Sequence, residues 1–449
     1  MYSAEAILND VVEDLKTGRM DLLYSINHIC DVIDRNESKI RALMPESGRR
    51  ERLLRQAREL EKRFPEMDRR PPLYGICVGV KDLFRADGFL TTCGSNLPPM
   101  LFDGPEASSV SKLKQAGALV LGKTVTTEFA YFYPGPTRNP LNIEHTPGGS
   151  SSGSAAAVSA GYCSLALGTQ TIGSINRPAA FCGIIGVKPS YNRISRDGVI
   201  PFSPSADHVG FFTQDMIGAR IVANVLCDNW NNALACKGVG RRPRIAVAGG
   251  KFIEQASGEY LRMFQADVTA LRELGYEIGE VSCLEDIAEI NSLHHDLIAA
   301  EMAETHAPWF DTYRHFYREA TVSLIEEGRG IPQARVAAAK ERQLELREAM
   351  HAAMERGGYD MFISPTTPSE APTGLQSTGS PIMNLPWTFA GMPTIAVPSG
   401  SRTETGLPFG LQFSGAFNDD ERLMFWIYEI VHRSMRSPRI MGKESPRDS

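Results

Sequence analysis

The sequence predicts an α/β protein in which a helical segment over residues 1–70 precedes one larger domain over 71–449. Three observations lead there. Apolar residues recur at helical spacing in the N-terminal stretch. Between 73 and 215, short β-prone runs alternate with Gly-rich turns and an Ala-rich helix, the texture of a sheet covered by helices. Finally, 449 residues at 42% apolar and 22% charged suffice for a full-sized core, which excludes a disordered chain.

From Ser3 onward, Ile7, Leu8, Val11, Val12 and Leu15 share one helical face, and Gly18 follows as a C-terminal cap. A second helix is expected from Arg49 to Arg70, with Leu53, Leu54, Ala57, Leu60 and Phe64 as a narrow apolar stripe and Pro71-Pro72 as its stop. Tyr74 to Val80 and Ala118 to Leu121 read as strands, and Ser154 to Ala160 as a helix. After Pro243 come a strand at Arg244 to Ala248 and a mostly helical, variable region at about 257–356, least patterned near 304–332. Strands return at Met361 to Ile363 and Thr394 to Pro398, and a helix closes the pattern from Asp419 to about Met435.

Lys and Arg number 47 against 53 Asp and Glu, a net charge of −6 spread along the chain, so nucleic acid is not an expected partner. No run approaches the ~18 apolar residues of a membrane span. Glu5, Asp10, Glu13 and Asp14 stand where a secretory signal needs basic and then apolar residues, and the expectation is a cytoplasmic protein without a membrane partner. The eight Cys show neither a CxxC pair nor a His at ligand spacing, so no metal, cofactor or disulfide framework is expected.

Three chemical readings compete. Gly117, Gly122, Lys123 and Thr124 satisfy the phosphate-loop pattern, yet the four intervening residues are themselves a strand whose N–H groups belong to the sheet. Gly149-Ser150-Ser151-Ser152-Gly153 satisfies the nucleophile-elbow pattern centred on Ser151, but Glu144-His145-Thr146-Pro147 before it is no strand, and none of the later histidines is marked by a motif. The third reading joins Gly79-Val80-Lys81-Asp82, a lysine at a strand end, to Ser150 in a Gly/Ser-rich loop and to Ser174, 24 residues further on.

Here the chain resembles the amidase signature family, the Ser-cisSer-Lys amide hydrolases. The likeness runs over about 71–433 through Gly75 to Asp82, Gly135 to Pro140, Pro147 to Ser151, Gly168 to Pro189, and Gly406 to Gln412. It implies a central twisted mixed sheet covered by helices. It also implies Ser174 as nucleophile, Ser150 as the bridging serine in a cis peptide after Gly149, and Lys81 as the base. The backbone N–H groups of Thr171, Ile172, Gly173 and Ser174 would form the oxyanion hole, with Ser151 and Gly149 in support. For Lys81 to act it must be uncharged, which demands burial, because a free lysine titrates near ~10.4.

The chain departs from the family pattern at Gln170, Ile172 and Asn176, where relatives carry an acid, a small residue and an arginine. Ile172 would be strained if the turn required φ > 0 there. Tyr131, Phe132 and Ile172 are candidates for lining an apolar substrate pocket. The expected activity is hydrolysis of a small amide or an amide-like carbamate (urethane), with aryl groups among the candidate substituents, through an acyl-serine and without a cofactor. The alternatives are the glutaminase or amidotransferase component of a transamidation complex and, less favoured, a Ser-His-Asp esterase. Oligomeric state stays open, a homo-oligomer included.

Overall fold

Eight strands carry side chains buried along their whole length, the mark of a sheet covered on both faces. The computed structural model describes residues 8–235 and 240–435. Its strands are β1 (Cys77–Lys81), β2 (Leu119–Thr124), β3 (Leu165–Gln170), β4 (Ile185–Lys188), β5 (His208–Thr213), β6 (Ile245–Ala248), β7 (Ile278–Val281), β8 (Met361–Pro365), β9 (Thr394–Arg402) and β10 (Pro408–Gly415). They form one sheet in the order β2-β1-β3-β5-β4-β9-β10-β8-β6-β7. The pairs at its two ends are parallel (β2-β1-β3 and β8-β6-β7), whereas the middle from β3 to β8 is antiparallel throughout. This is the mixed, helix-covered sheet that the family resemblance implies.

The helices in chain order are α1 (Leu8–Lys16), α2 (Leu22–Ile40), α3 (Arg49–Arg63), α4 (Ser108–Gln115), α5 (Ser152–Ser159), α6 (Asn176–Cys182), α7 (Met216–Leu226) and α8 (Asn232–Ala235). They continue with α9 (Gly258–Glu273), α10 (Ile287–His306), α11 (Phe310–Tyr313), α12 (Glu319–Gly330), α13 (Gln333–Gly357), α14 (Leu385–Phe389) and α15 (Asp420–Met435). None of the described helices is long and apolar enough to cross a membrane. The N-terminal helices pack into the same core as the sheet. Arg52 of α3 donates to the carbonyls of Val120 (2.8 Å) and Leu121 (2.9 Å), covering the otherwise open edge of β2.

The structure departs from the sequence expectations at several points. Residues 3–7 and Cys236 lie outside the described residues. The second expected helix stops at Arg63, seven residues early, because Phe64 precedes Pro65 and takes φ −130°, ψ 67°, away from the helical region. A further helix, α2, not among the sequence expectations, buries Leu22, Ile26, Ile29, Cys30 and Ile33 on one face; Asp21 caps it by accepting from the N–H of Tyr24 at 2.7 Å. The poorly patterned stretch 304–332 is regular, holding α11 and α12. There Gly328 lets α12 press on α10, where a Cβ would stand 1.9 Å from the carbonyl oxygen of Ala299. Six of the seven described cysteines are buried free thiols.

Candidate active site

Adjacent parallel strands end side by side. β1 ends at Lys81 and β3 at Gln170; after β3 the chain turns through Thr171, Ile172, Gly173 and Ser174 into α6. The Gly/Ser loop 147–151 leads directly into α5. Its Gly149–Ser150 peptide is cis.

Lys81 is completely buried. Its Nζ lies 2.7 Å from Ser150 Oγ, 3.0 Å from Ser151 Oγ and 2.7 Å from Thr169 Oγ1. All three partners are hydroxyls. Ser151 gives its own proton to the carbonyl of Thr169 at 3.2 Å, so it receives from the amine. Burial pushes the lysine well below its usual pKa; the nearby Asp207 carboxylate opposes that shift and the Arg177 guanidinium adds to it.

Ser174 is 6% exposed, and among the described residues no hydrogen bond joins it to Ser150. The two serine-bearing segments are instead tied by Arg177 on the first turn of α6. Its Nη2 donates to the carbonyl of Gly149 (2.6 Å) and to Thr378 Oγ1 (3.2 Å), and Nη1 donates to the carbonyl of Gly379 (2.8 Å). The guanidinium is fully buried, and burial lowers its pKa to about 9. Gly148 makes the close approach feasible, because a Cβ there would lie 2.9 Å from Pro178 Cα.

A cavity of about 200 Å³ opens beside Thr169 and Thr171, walled by Leu83, Ala130, Val199, Ile200 and Phe202. Asp207 also faces it. Its Oδ1 accepts from Thr171 Oγ1 at 2.5 Å, and Oδ2 accepts from the N–H groups of Phe202 (2.8 Å) and Ser203 (3.0 Å). Burial outweighs these bonds and raises its pKa to about 6. Of the candidate pocket residues, Tyr131 packs edge-on against Phe202 at 5.7 Å, Phe132 is 40% exposed, and Ile172 is partly buried against the core. None of the three lines this cavity. Ile172 is not among the residues with positive φ, so its branched side chain brings no backbone strain; Phe129 (48°) and Ala130 (64°) in the preceding loop are.

The rival motifs find other employment. Lys123 of the phosphate-loop-like run is a strand residue paired with the buried Asp82 at 2.8 Å. Ser151 of the elbow-like run bonds Lys81 and Thr169, and no histidine is among its partners. Sequence reasoning passed over Thr169, Arg177 and Asp207. Thr169 carried a usable signal, since it lies at the end of a β-prone run that leads straight into the Gly-bearing turn. Arg177 contacts partners 28 to 202 residues away, and Asp207 reaches the site through Thr171, 36 residues away, for which a single sequence has no signal.

The chain matches the family model described as Amidase over residues 25–424, and it belongs to that family. A glutamyl-tRNA(Gln) amidotransferase subunit from Roseiflexus castenholzii is 32% identical over 461 residues, with 92% of each chain covered. A solved amidase superposes with a TM-score of 0.86 at 28% identity, covering 95% of this chain and 100% of its own. The peptide amidase of Stenotrophomonas maltophilia gives 0.79 at 26% identity, covering 96% and 97%. The protein is thus an enzyme of the amide-hydrolysing class.

Proposed function

We propose that this chain hydrolyses a small amide, or an amide-like carbamate, through an acyl intermediate on Ser174. One observation carries the reading: a completely buried lysine whose polar partners are all hydroxyls. Two of these, Ser151 and Thr169, take its N–H groups, which leaves the lone pair of the neutral amine facing Ser150 Oγ. Lys81 then accepts the Ser150 proton as Ser150 accepts that of Ser174, and Ser174 Oγ attacks the carbonyl carbon. The Ser174–Ser150 contact closes when substrate is bound, as such contacts commonly do.

The oxyanion is met by N–H groups of the 171–174 turn. Return of the proton along the same route lets the amine leave, and a water molecule activated by Ser150 and Lys81 releases the acyl group as its acid. The apolar wall of the cavity next to Thr171, formed by Leu83, Val199, Ile200 and Phe202, suits an uncharged substituent, an aryl group among them, while Arg196, Asp207 and His208 also line it. Labelling with a fluorophosphonate followed by peptide mapping tests the assignment. An adduct on Ser174 is expected, while an adduct on Ser151 would favour the elbow chemistry.

The relatives that bear the name of an amidotransferase favour a second reading, in which the same serine frees ammonia from glutamine for a partner chain. Hydrolysis of simple anilides or carbamates by the purified chain, with neither partner nor nucleotide, would exclude it.

A further inference from the structure

The turn that follows β3 is held from outside by a chain of hydrogen bonds that begins and ends on the turn itself. Gln170, fully buried at the end of β3, accepts through Oε1 from the N–H groups of Ile175 (2.8 Å) and Asn176 (3.0 Å). Two donors on one side fix the amide's orientation, so Nε2 points the other way, 3.0 Å from Thr388 Oγ1 on α14. Thr388 accepts that bond and has one proton to give. The carbonyl of Ile172 is its nearer acceptor at 2.7 Å, against 3.1 Å for the carbonyl of Asn384.

This arrangement has a directional consequence. In a trans peptide the C=O of one residue and the N–H of the next point in opposite directions. Holding the Ile172 carbonyl against Thr388 therefore turns the Gly173 N–H to the side away from α14. Gln170 has meanwhile consumed the N–H groups of Ile175 and Asn176, and among the described residues those of Ile172, Gly173 and Ser174 donate no hydrogen bond within the chain. The clamp cannot drift. A Cβ on Gly173 would lie 2.3 Å from Asn384 Oδ1, and Asn384 is pinned through Nδ2 to Gln412 Oε1 on β10 (2.7 Å) and to the carbonyl of Thr366 (2.9 Å).

We propose that Thr388 is a positioning residue that aims the Gly173 N–H at the developing oxyanion, through the chain Gln170–Thr388–Ile172. It touches no substrate atom. This rests on the reading of Ser174 as nucleophile, and it accounts for a glutamine at position 170, whose amide accepts from the helix start and donates to Thr388 with one side chain.

The test follows saturation labelling by a fluorophosphonate, in which fluoride leaves as Ser174 Oγ bonds phosphorus and the phosphoryl oxygen occupies the anion site. Thr388→Val keeps the shape and removes the hydroxyl. The maximal labelling rate should fall about tenfold or more, with the half-saturating concentration within about twofold of wild type. Thr388→Ser should restore the rate to within about threefold. Gln170→Glu, which can accept but not donate and so draws the Thr388 proton from Ile172, should slow labelling in the same way; it stands in if the valine variant does not fold. A folded Thr388→Val labelled at the wild-type rate, or a serine variant as slow as the valine one, overturns this proposal alone. A wild-type chain without an adduct on Ser174 overturns the catalytic reading and this proposal with it.

Discussion

Three lysines are buried at or near the ends of strands in this sheet, and what surrounds each decides what it can do. Lys81, at the end of β1, meets three hydroxyls. Lys123, in neighbouring β2, is held by the Asp82 carboxylate as half of an ion pair and also donates to Thr91 Oγ1 (3.0 Å) and the carbonyl of Leu90 (3.2 Å). Lys188, at the end of β4, bonds the carbonyls of Met392 and Pro189, which accept hydrogen bonds but have no proton to exchange. Burial is common to all three. Lys81 is the one of the three whose partners are hydroxyls alone, groups that both give and receive protons and bring no counter-charge, which suits it to proton transfer. The comparison teaches that the chemistry of the partners, beyond desolvation, separates a base from a structural cation.

The comparison can be broken by exchanging each lysine for methionine. Lys81→Met should lower kcat about a hundredfold to ten-thousandfold while the protein stays folded, as expected for loss of a general base. A steady-state assay on an anilide, alongside a thermal melt, would reveal the opposite case of a folded, fully active variant. Lys123→Met strands the buried Asp82 carboxylate and should destabilise the fold by about 3–5 kcal/mol, read from denaturant midpoints. Lys188→Met leaves the Met392 carbonyl unpaired and should cost about 1–3 kcal/mol, with turnover per folded molecule unchanged. A large loss of kcat in this variant would erase the distinction between the two lysines. Thr169→Val removes one hydroxyl from Lys81 and should lower kcat by up to about tenfold, far less than Lys81→Met.

Acidity separates Lys81 and Lys188 in another way. In the proposed mechanism Lys81 acts as the neutral amine, so kcat/KM should rise with pH through its lowered pKa and then level off. Lys188 is lowered to about 7, chiefly by burial, with Asp420 opposing and Arg347 adding to the shift. Between that value and the ordinary lysine range the unfolded chain binds a proton that the folded one does not. Stability therefore rises with pH across this window. Lys188→Met should reduce that rise by its own share, Lys81 adding to it by the same linkage, without altering the kinetic profile, which paired pH series of denaturation and turnover would show.

Much of the site was legible because its signals are local. Lys81 stands at the end of a β-prone run, Ser150 in a glycine-rich loop running into a helix, and Ser174 in a second Gly-bearing turn. The helical period of α1 and the strand character of Ala118 to Leu121 needed only neighbouring residues, and the latter was enough to set aside the phosphate-loop pattern. The departures at Gln170 and Asn176 read together as an ion pair replaced by neutral hydrogen-bonding groups, but their distant partners are not legible in the sequence. Gln170 acquires its meaning from Thr388, 218 residues away, and Asn176 from Thr394, equally distant.

The sequence by itself determined the types of residue present and the local frames that carry them: a lysine ending a strand, two serines in glycine-bearing turns, and enough apolar residues at the right periods to cover a sheet. Only the tertiary structure decided that Lys81 is sealed from water among hydroxyls, that Arg177 ties the loop of Ser150 to the helix after Ser174, and that Thr388 grips the Ile172 carbonyl. The physical reason is the range of the interactions. Periodicity and turn chemistry act over a few residues, whereas burial and hydrogen-bond partners are set by whichever distant segments the packed sheet brings alongside.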